Sequence, residues 1–201
     1  RIILVGFRND FFLENNISFK RPEKSKGGFK TCKEALEDPK IPDWADHQEK
    51  TKHDERVIRR LQKTGQGKNV WDLGNDKDGL PGVKKARMSH IYKRLDSSKP
   101  SYTVTGSGGG GTHVYHFKEP RALTNRERAR LQTFPDDYNF KGGKESVRRQ
   151  IGMAVPVDGA RIIMNEVKKA LKKRKKPSPY HHDWMIKAKR KELYFTGKEK
   201  I

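Results

Sequence analysis

An unbroken apolar run, Ile2-Ile3-Leu4-Val5, follows Arg1 at the start of the 201-residue chain, and Gly6-Phe7 closes it. A run with no polar face predicts a strand over residues 1–7 that is covered on both sides. Residues 9–22 read as a loop or a short helix start, and residues 25–29 as a turn. Thr31 is placed to cap a short helix over residues 31–37, which stops before Pro39. In residues 53–64 the spacing turns helical, with Val57, Ile58 and Leu61 on one face. Gly65-Gln66-Gly67 breaks that helix. Alternating patterns predict strands over residues 69–73, 90–95, 102–105 and 113–117, with a polar turn over residues 74–81. A second helix start is written in Leu123-Thr124-Asn125-Arg126-Glu127, where Thr124 and Glu127 have capping-box spacing. Leu131 continues its apolar face and Phe134-Pro135 ends it. Helical patterns follow over residues 143–150 and, amphipathic and longer, over residues 157–171. Residues 172–179, KKRKKPSP, hold too few apolar groups to bury and read as a tail.

Composition narrows the class. Hydrophobic residues make up 32% and charged residues 35%, so the core is modest and one domain, or one and a fraction, is expected. Lys and Arg number 46 against 25 Asp and Glu, a formal charge of +21, which points to a polyanionic partner and first of all to nucleic acid. A single cysteine, Cys32, excludes an internal disulfide framework and a CxxC zinc site, and no metal site is expected. That usage fits a reducing, cytoplasmic compartment. No apolar stretch reaches the ~18 residues of a membrane span, and no signal peptide is visible. A strand at the first residue leads us to expect a preceding segment, cut off or carried on another chain.

Four blocks then stand in a fixed order. Thr103-Val104-Thr105 runs towards Gly108-Gly109-Gly110-Gly111. HFKEPRALTNRERARLQTFPDDY follows, and Gly152-Met153-Ala154-Val155-Pro156 precedes the last amphipathic segment. This order resembles the C-terminal part of DNA (cytosine-5) methyltransferases, which move a methyl group from S-adenosylmethionine to carbon 5 of cytosine. The likeness covers residues 1–12 and 90–170, and residues 13–89 only through the Gly65-Gln66-Gly67 turn. It implies an α/β fold: the edge of a Rossmann-like methyltransferase domain (first strand and last helix) and a smaller β-rich target-recognition lobe. The expected division is residues 1–19 and 141–176 in the catalytic domain, 20–140 in the recognition domain and 177–201 in a basic tail.

The resemblance also assigns roles. Arg1 would end a Gln-x-Arg-x-Arg motif and reach the target cytosine, a catalytic place where a guanidinium can bond the base carbonyl. Gln66 would enter the DNA stack and replace hydrogen bonds lost by a flipped base; on its own residues the turn is equally an ordinary helix end. Arg94, Thr103 and Thr105 fit a DNA-contacting block, with Gly108, Gly109 and Gly110 letting the backbone lie against DNA. Leu131 and Phe134 belong to the core, whereas Arg121 and Arg126 are either phosphate contacts or partners of Glu127 and Asp136. Gly152, Met153, Ala154 and Val155 match a cofactor-binding block at a helix N-terminus, whose free amides suit the carboxylate of S-adenosylmethionine. This chain departs there, with Met153 for Asn and Val157 for the second Pro.

The family's nucleophile is a cysteine in a Pro-Cys motif. Cys32 stands in Lys30-Thr31-Cys32-Lys33, after the first strand, and is rejected for that role. The Phe-x-Gly-x-Gly cofactor loop and the Glu-Asn-Val carboxylate are also missing. The chain alone is therefore expected to be inactive: a fragment, or one subunit of a split enzyme, from a bacterial restriction–modification system. Its expected partners are double-stranded DNA and the missing N-terminal catalytic segment or subunit. The alternative is a catalytically empty DNA-binding module.

Overall fold

A computed structural model describes residues 2–8, 19–23, 27–72, 90–106 and 112–172. The turn expected over residues 74–81 and the tail beyond residue 172 lie outside the described residues. Among the described residues five helices follow in chain order: α1 (Cys32–Glu37), α2 (Glu55–Lys63), α3 (Asn125–Leu131), α4 (Lys144–Met153) and α5 (Val157–Lys172). Contacts divide the chain into two units, Arg1–Pro22 with Ile163–Ile201, and Glu23–Ile162.

The capping chemistry explains the helix starts. Thr31 and Thr124 each form a complete capping box, with Glu34 and Glu127 reaching back to the cap amides at 2.7 Å. Asp54 opens α2 by accepting from the Arg56 amide at 2.8 Å. Ala154 closes α4 by donating its amide to the Gln150 carbonyl at 3.0 Å. Helix α4 thus runs to Met153, three residues past the end expected from the sequence.

The second unit holds three apolar clusters. Leu61 of α2 packs with Val70, Tyr92, Tyr115 and Ala122. Cys32 and Leu36 of α1 pack with Leu95, Val114, Phe117 and Leu123. Val147 and Ile151, one turn apart on α4, pack with Val104, Ala129 and Phe140. Leu131 and Phe134 pack against these clusters at their edges. Helix α3 runs through the middle, and its residues from Asn125 to Ala129 are all buried. Its charges are satisfied there. Arg121 forms bidentate bonds with Glu127 at 2.7 and 2.8 Å and with Glu119 at 2.8 and 3.0 Å. Burial opposes the Arg121 charge, but the two carboxylates outweigh it and raise its pKa. Arg126 donates to the carbonyls of Asp46, Pro135 and Tyr138, while Arg130 pairs with Asp136. Of the two readings for Arg121 and Arg126, internal pairing holds, through carbonyls in the case of Arg126.

Four expected strands are not formed as ladders. Among the described residues the pairing is two isolated bridges, Arg94 with Tyr115 and Tyr115 with Ala122. Tyr92 has φ +50°, which no strand allows, so residues 90–92 turn instead. Residues 70–72 form a single 3-10 turn, fixed by the Asn69 amide on Asp72 at 2.7 Å and the Trp71 amide on Asn69 at 2.7 Å. Among the described residues the expected β-rich lobe is seen as single bridges between helices. The first apolar run is corrected as well. Ile2 and Leu4 are 91% and 90% exposed, and no ladder partner is present for residues 2–8 among the described residues. A strand covered on both faces needs neighbouring strands, and this chain's described residues supply none.

Candidate functional site

Thr103, Val104 and Thr105 lie in extended backbone whose side chains alternate. Val104 is buried in the α4 cluster, so Thr103 and Thr105 share the opposite, exposed side. The segment leads directly to Gly106 and the glycine run. Gly108, Gly109 and Gly110, like Arg1, lie outside the described residues.

The Gly65-Gln66-Gly67 turn follows the end of α2. Gly67 adopts φ +72° with Asp96 close beside it, and a Cβ there would stand 3.0 Å from the Asp96 carboxylate. Glycine is therefore required twice over, by backbone and by space. The Gly67 amide donates to the Leu95 carbonyl at 3.0 Å, and the Ser97 amide donates to Gln66 Oε1 at 3.4 Å. The turn is thereby tied to residues 95–97, with the Gln66 side chain exposed at its tip.

Arg94, expected at the DNA, sits beneath that tie with its guanidinium engaged by the backbone. It is 7% exposed, and its guanidinium donates to four carbonyls. Those are Leu61 at 2.9 Å, Thr64 at 2.8 Å, His116 at 3.0 Å and Phe117 at 2.6 Å. Two of these end α2, so Arg94 does the work of a C-cap for that helix. Burial lowers its pKa.

The block Gly152-Met153-Ala154-Val155 spans the end of α4 and the link into α5. Met153 is 70% and Val155 42% exposed. The Ala154 amide is bonded to Gln150, the Val157 amide donates to the Gln132 carbonyl at 3.0 Å, and the Asp158 amide donates to Thr133 Oγ1 at 2.8 Å. The expected helix N-terminus with free amides for a carboxylate is therefore not what these residues form.

Gln132 and Thr133 have functional places that the pattern did not reveal. Gln132 is buried, and its Nε2 donates to the Ile151 carbonyl at 2.9 Å and the Ala154 carbonyl at 3.4 Å. Thr133, at φ +58°, caps α5 from outside it. A Gln-Thr pair after the last apolar helical residue reads as solvent-facing, and only the α4 end shows why it is not. Arg128 is similarly hidden. It is 1% exposed, and burial lowers its pKa to about 10. It faces His113 Nδ1 at 3.5 Å and donates to the Thr105 carbonyl at 3.4 Å.

Cys32 is fully buried in its cluster, and burial, with Asp96 nearby, pushes its thiol up to about 11. A thiol so placed is a poor nucleophile. Ellman's reagent is expected to label Cys32 in urea and to leave it unlabelled in the folded chain; rapid labelling without denaturant would restore it as a reactive group.

A family model for C-5 cytosine-specific DNA methylase matches residues 1–169. The type II methyltransferase M.BbvI of Brevibacillus brevis is 53% identical over 179 residues, which is 89% of this chain and 46% of that protein. The type II methyltransferase M.NgoFVII of Neisseria gonorrhoeae is 41% identical over 167 residues, 79% of this chain and 42% of that protein. The chain belongs to the C-5 cytosine-specific DNA methylase family. It spans about half the length of the curated relatives it matches. Among the described residues no helix is long and apolar enough to cross a membrane.

Proposed function

We propose that this chain is the DNA-recognition and C-terminal part of a DNA (cytosine-5) methyltransferase of a restriction–modification system, working in the cytoplasm. The complete enzyme would transfer a methyl group from S-adenosylmethionine to carbon 5 of a cytosine turned out of duplex DNA. The family match over residues 1–169 supports the reaction. The observation that carries the DNA side is the pair of exposed hydroxyls, Thr103 and Thr105, on a segment pinned by buried Val104.

In this reading Thr103 donates to a phosphate oxygen and fixes register, while Thr105 and the backbone at Gly108, Gly109 and Gly110 lie along the same strand. Gln66, exposed at the tip of its turn, leaves Ser97 and offers its amide to the base orphaned by flipping. Arg1 places a guanidinium at the flipped cytosine. Met153 and Val155 supply an apolar wall for the cofactor, which brings the methyl group. The nucleophilic thiol comes from outside these 201 residues, because the one cysteine present is inaccessible. We place it on a catalytic segment or subunit that completes the Rossmann-like domain with residues 1–19 and 141–176, leaving residues 20–140 for recognition and 177–201 as a basic tail. The inaccessible cysteine equally favours a second reading, a DNA-binding module without catalysis. Methyl incorporation on adding the N-terminal half of a relative separates the two.

Thr103→Ala is expected to weaken binding to every duplex sequence alike, by about 1 kcal/mol, the worth of one hydrogen bond. Binding itself should fall steeply with added salt as phosphate counterions compete. Anisotropy titrations on several duplexes check both, and unchanged affinity for Thr103→Ala would remove the phosphate contact.

A further inference from the structure

The last turn of α4 lies on the backbone of the DNA-facing segment at a distance that no side chain permits. A Cβ added to Gly152 would overlap the Gly106 amide nitrogen and Cα and the Thr105 carbonyl carbon. The contact is reciprocal, since a Cβ on Gly106 would come within 3.1 Å of the Arg149 Cα and carbonyl oxygen. Gly159, by contrast, has room: its Cβ would meet the Pro156 Cβ at an ordinary 3.8 Å.

Helix α4 is clamped along its length and cannot readily yield. Val147 and Ile151 bury its inner face. The Asn125 side chain donates to the Lys144 carbonyl at 2.9 Å at its start, and Gln132 holds the Ile151 carbonyl at 2.9 Å at its end. Both clamps come from α3 and the residue that follows it. The segment that bears the threonines meets it there, with Val104 in the shared cluster and Arg128 donating to the Thr105 carbonyl at 3.4 Å. A methyl group at 152 would therefore displace residues 105–106, and with them the hydroxyls of Thr103 and Thr105.

We propose that Gly152 and Gly106 are positioning residues for DNA binding: their backbone-to-backbone contact sets where the Thr103 hydroxyl meets the phosphate. Gly152 thereby serves the DNA side of the protein, although it stands in the block that faces the cofactor. This inference rests on the reading of Thr103 as a phosphate contact.

A double-mutant cycle tests it on the full chain, by anisotropy with a fluorescein-labelled mixed-sequence duplex. Thr103→Ala alone should weaken binding about fivefold, the equivalent of one hydrogen bond. Gly152→Ala should lose at least as much, and the double variant Gly152→Ala/Thr103→Ala no more than Gly152→Ala does. Gly159→Ala should bind like the parent. Losses that multiply in the double variant, parental affinity for Gly152→Ala, or an equal loss from Gly159→Ala would overturn the proposal. If Gly152→Ala does not fold, the same cycle with the milder Gly106→Ala decides alone by the same criteria. Parental affinity for Thr103→Ala removes the phosphate contact and this inference with it, whereas a fivefold Thr103 loss with multiplying doubles removes the positioning role alone.

Discussion

Arg94→Ala is expected to destabilise the chain by about 3–5 kcal/mol, the partly relaxed sum of several buried hydrogen bonds lost together. The reason lies in what stays behind. The carbonyls of Leu61, Thr64, His116 and Phe117 would remain in place with their common donor gone. A buried carbonyl without a partner costs about 1–3 kcal/mol, and relaxation keeps four such losses from adding in full. Arg94→Lys should recover only part, because one ammonium cannot reach four acceptors spread around a planar guanidinium. Urea unfolding measures the loss. The outcome that sinks this account is a variant of near-parental stability whose duplex affinity has dropped about tenfold, since that would return Arg94 to the phosphates.

Stability should also fall between about pH 6.5 and pH 4. His113 is half-buried, and burial, together with Arg128, Arg148 and His53, pushes its pKa down to about 4 from 6.5, with Glu145 opposing weakly. His53 is lowered by burial and by Lys144. Burial lowers His116 despite the nearby Glu127. The direction follows from proton counting. Between its folded and unfolded values each histidine binds its proton more readily in the unfolded chain, so stability is full above 6.5 and is lost as pH falls. One fully withheld proton is worth about 1.4 kcal/mol per pH unit, and solvent screening at half-buried His113 brings its share below that. Below about 4.5 the carboxylates add to the loss. Arg121 is foremost in holding Glu119 down to about 2, and it also lowers Glu127 against the opposing effect of burial. Urea midpoints measured from pH 7.5 to 4 test the first phase, and His113→Gln should flatten much of it. Equal midpoints at pH 7.5 and 4.5 would refute the assignment.

The helices were legible because their determinants are local. Thr31 with Glu34, Asp54, and Thr124 with Glu127 each sit within four residues of the groups they bond, so pattern and cap agree with the fold. The alternation of Thr103, Val104 and Thr105 was legible for the same reason: one buried valine sets both neighbours outward. The strands were not, because a strand exists only with a partner. Residues 2–8 carry a strand's composition but meet no ladder among the described residues, and Tyr92 at φ +50° turns where the sequence pattern suggested a strand.

The candidate site divides along the same line. Sequence alone determined the family, the basic character, the shared face of Thr103 and Thr105 and the rejection of Cys32 as a nucleophile, all of which reside in residue identity and order. Tertiary structure alone decided that Arg94 belongs to the framework, that Gln132 and Thr133 hold the ends of α4 and α5, and that Gly152 meets Gly106. Each of these joins residues 19 or more positions apart, from Gln132 on Ile151 across 19 to Gly152 on Gly106 across 46. No local pattern encodes which distant carbonyl a buried guanidinium will find, because that partner exists only after the chain has folded.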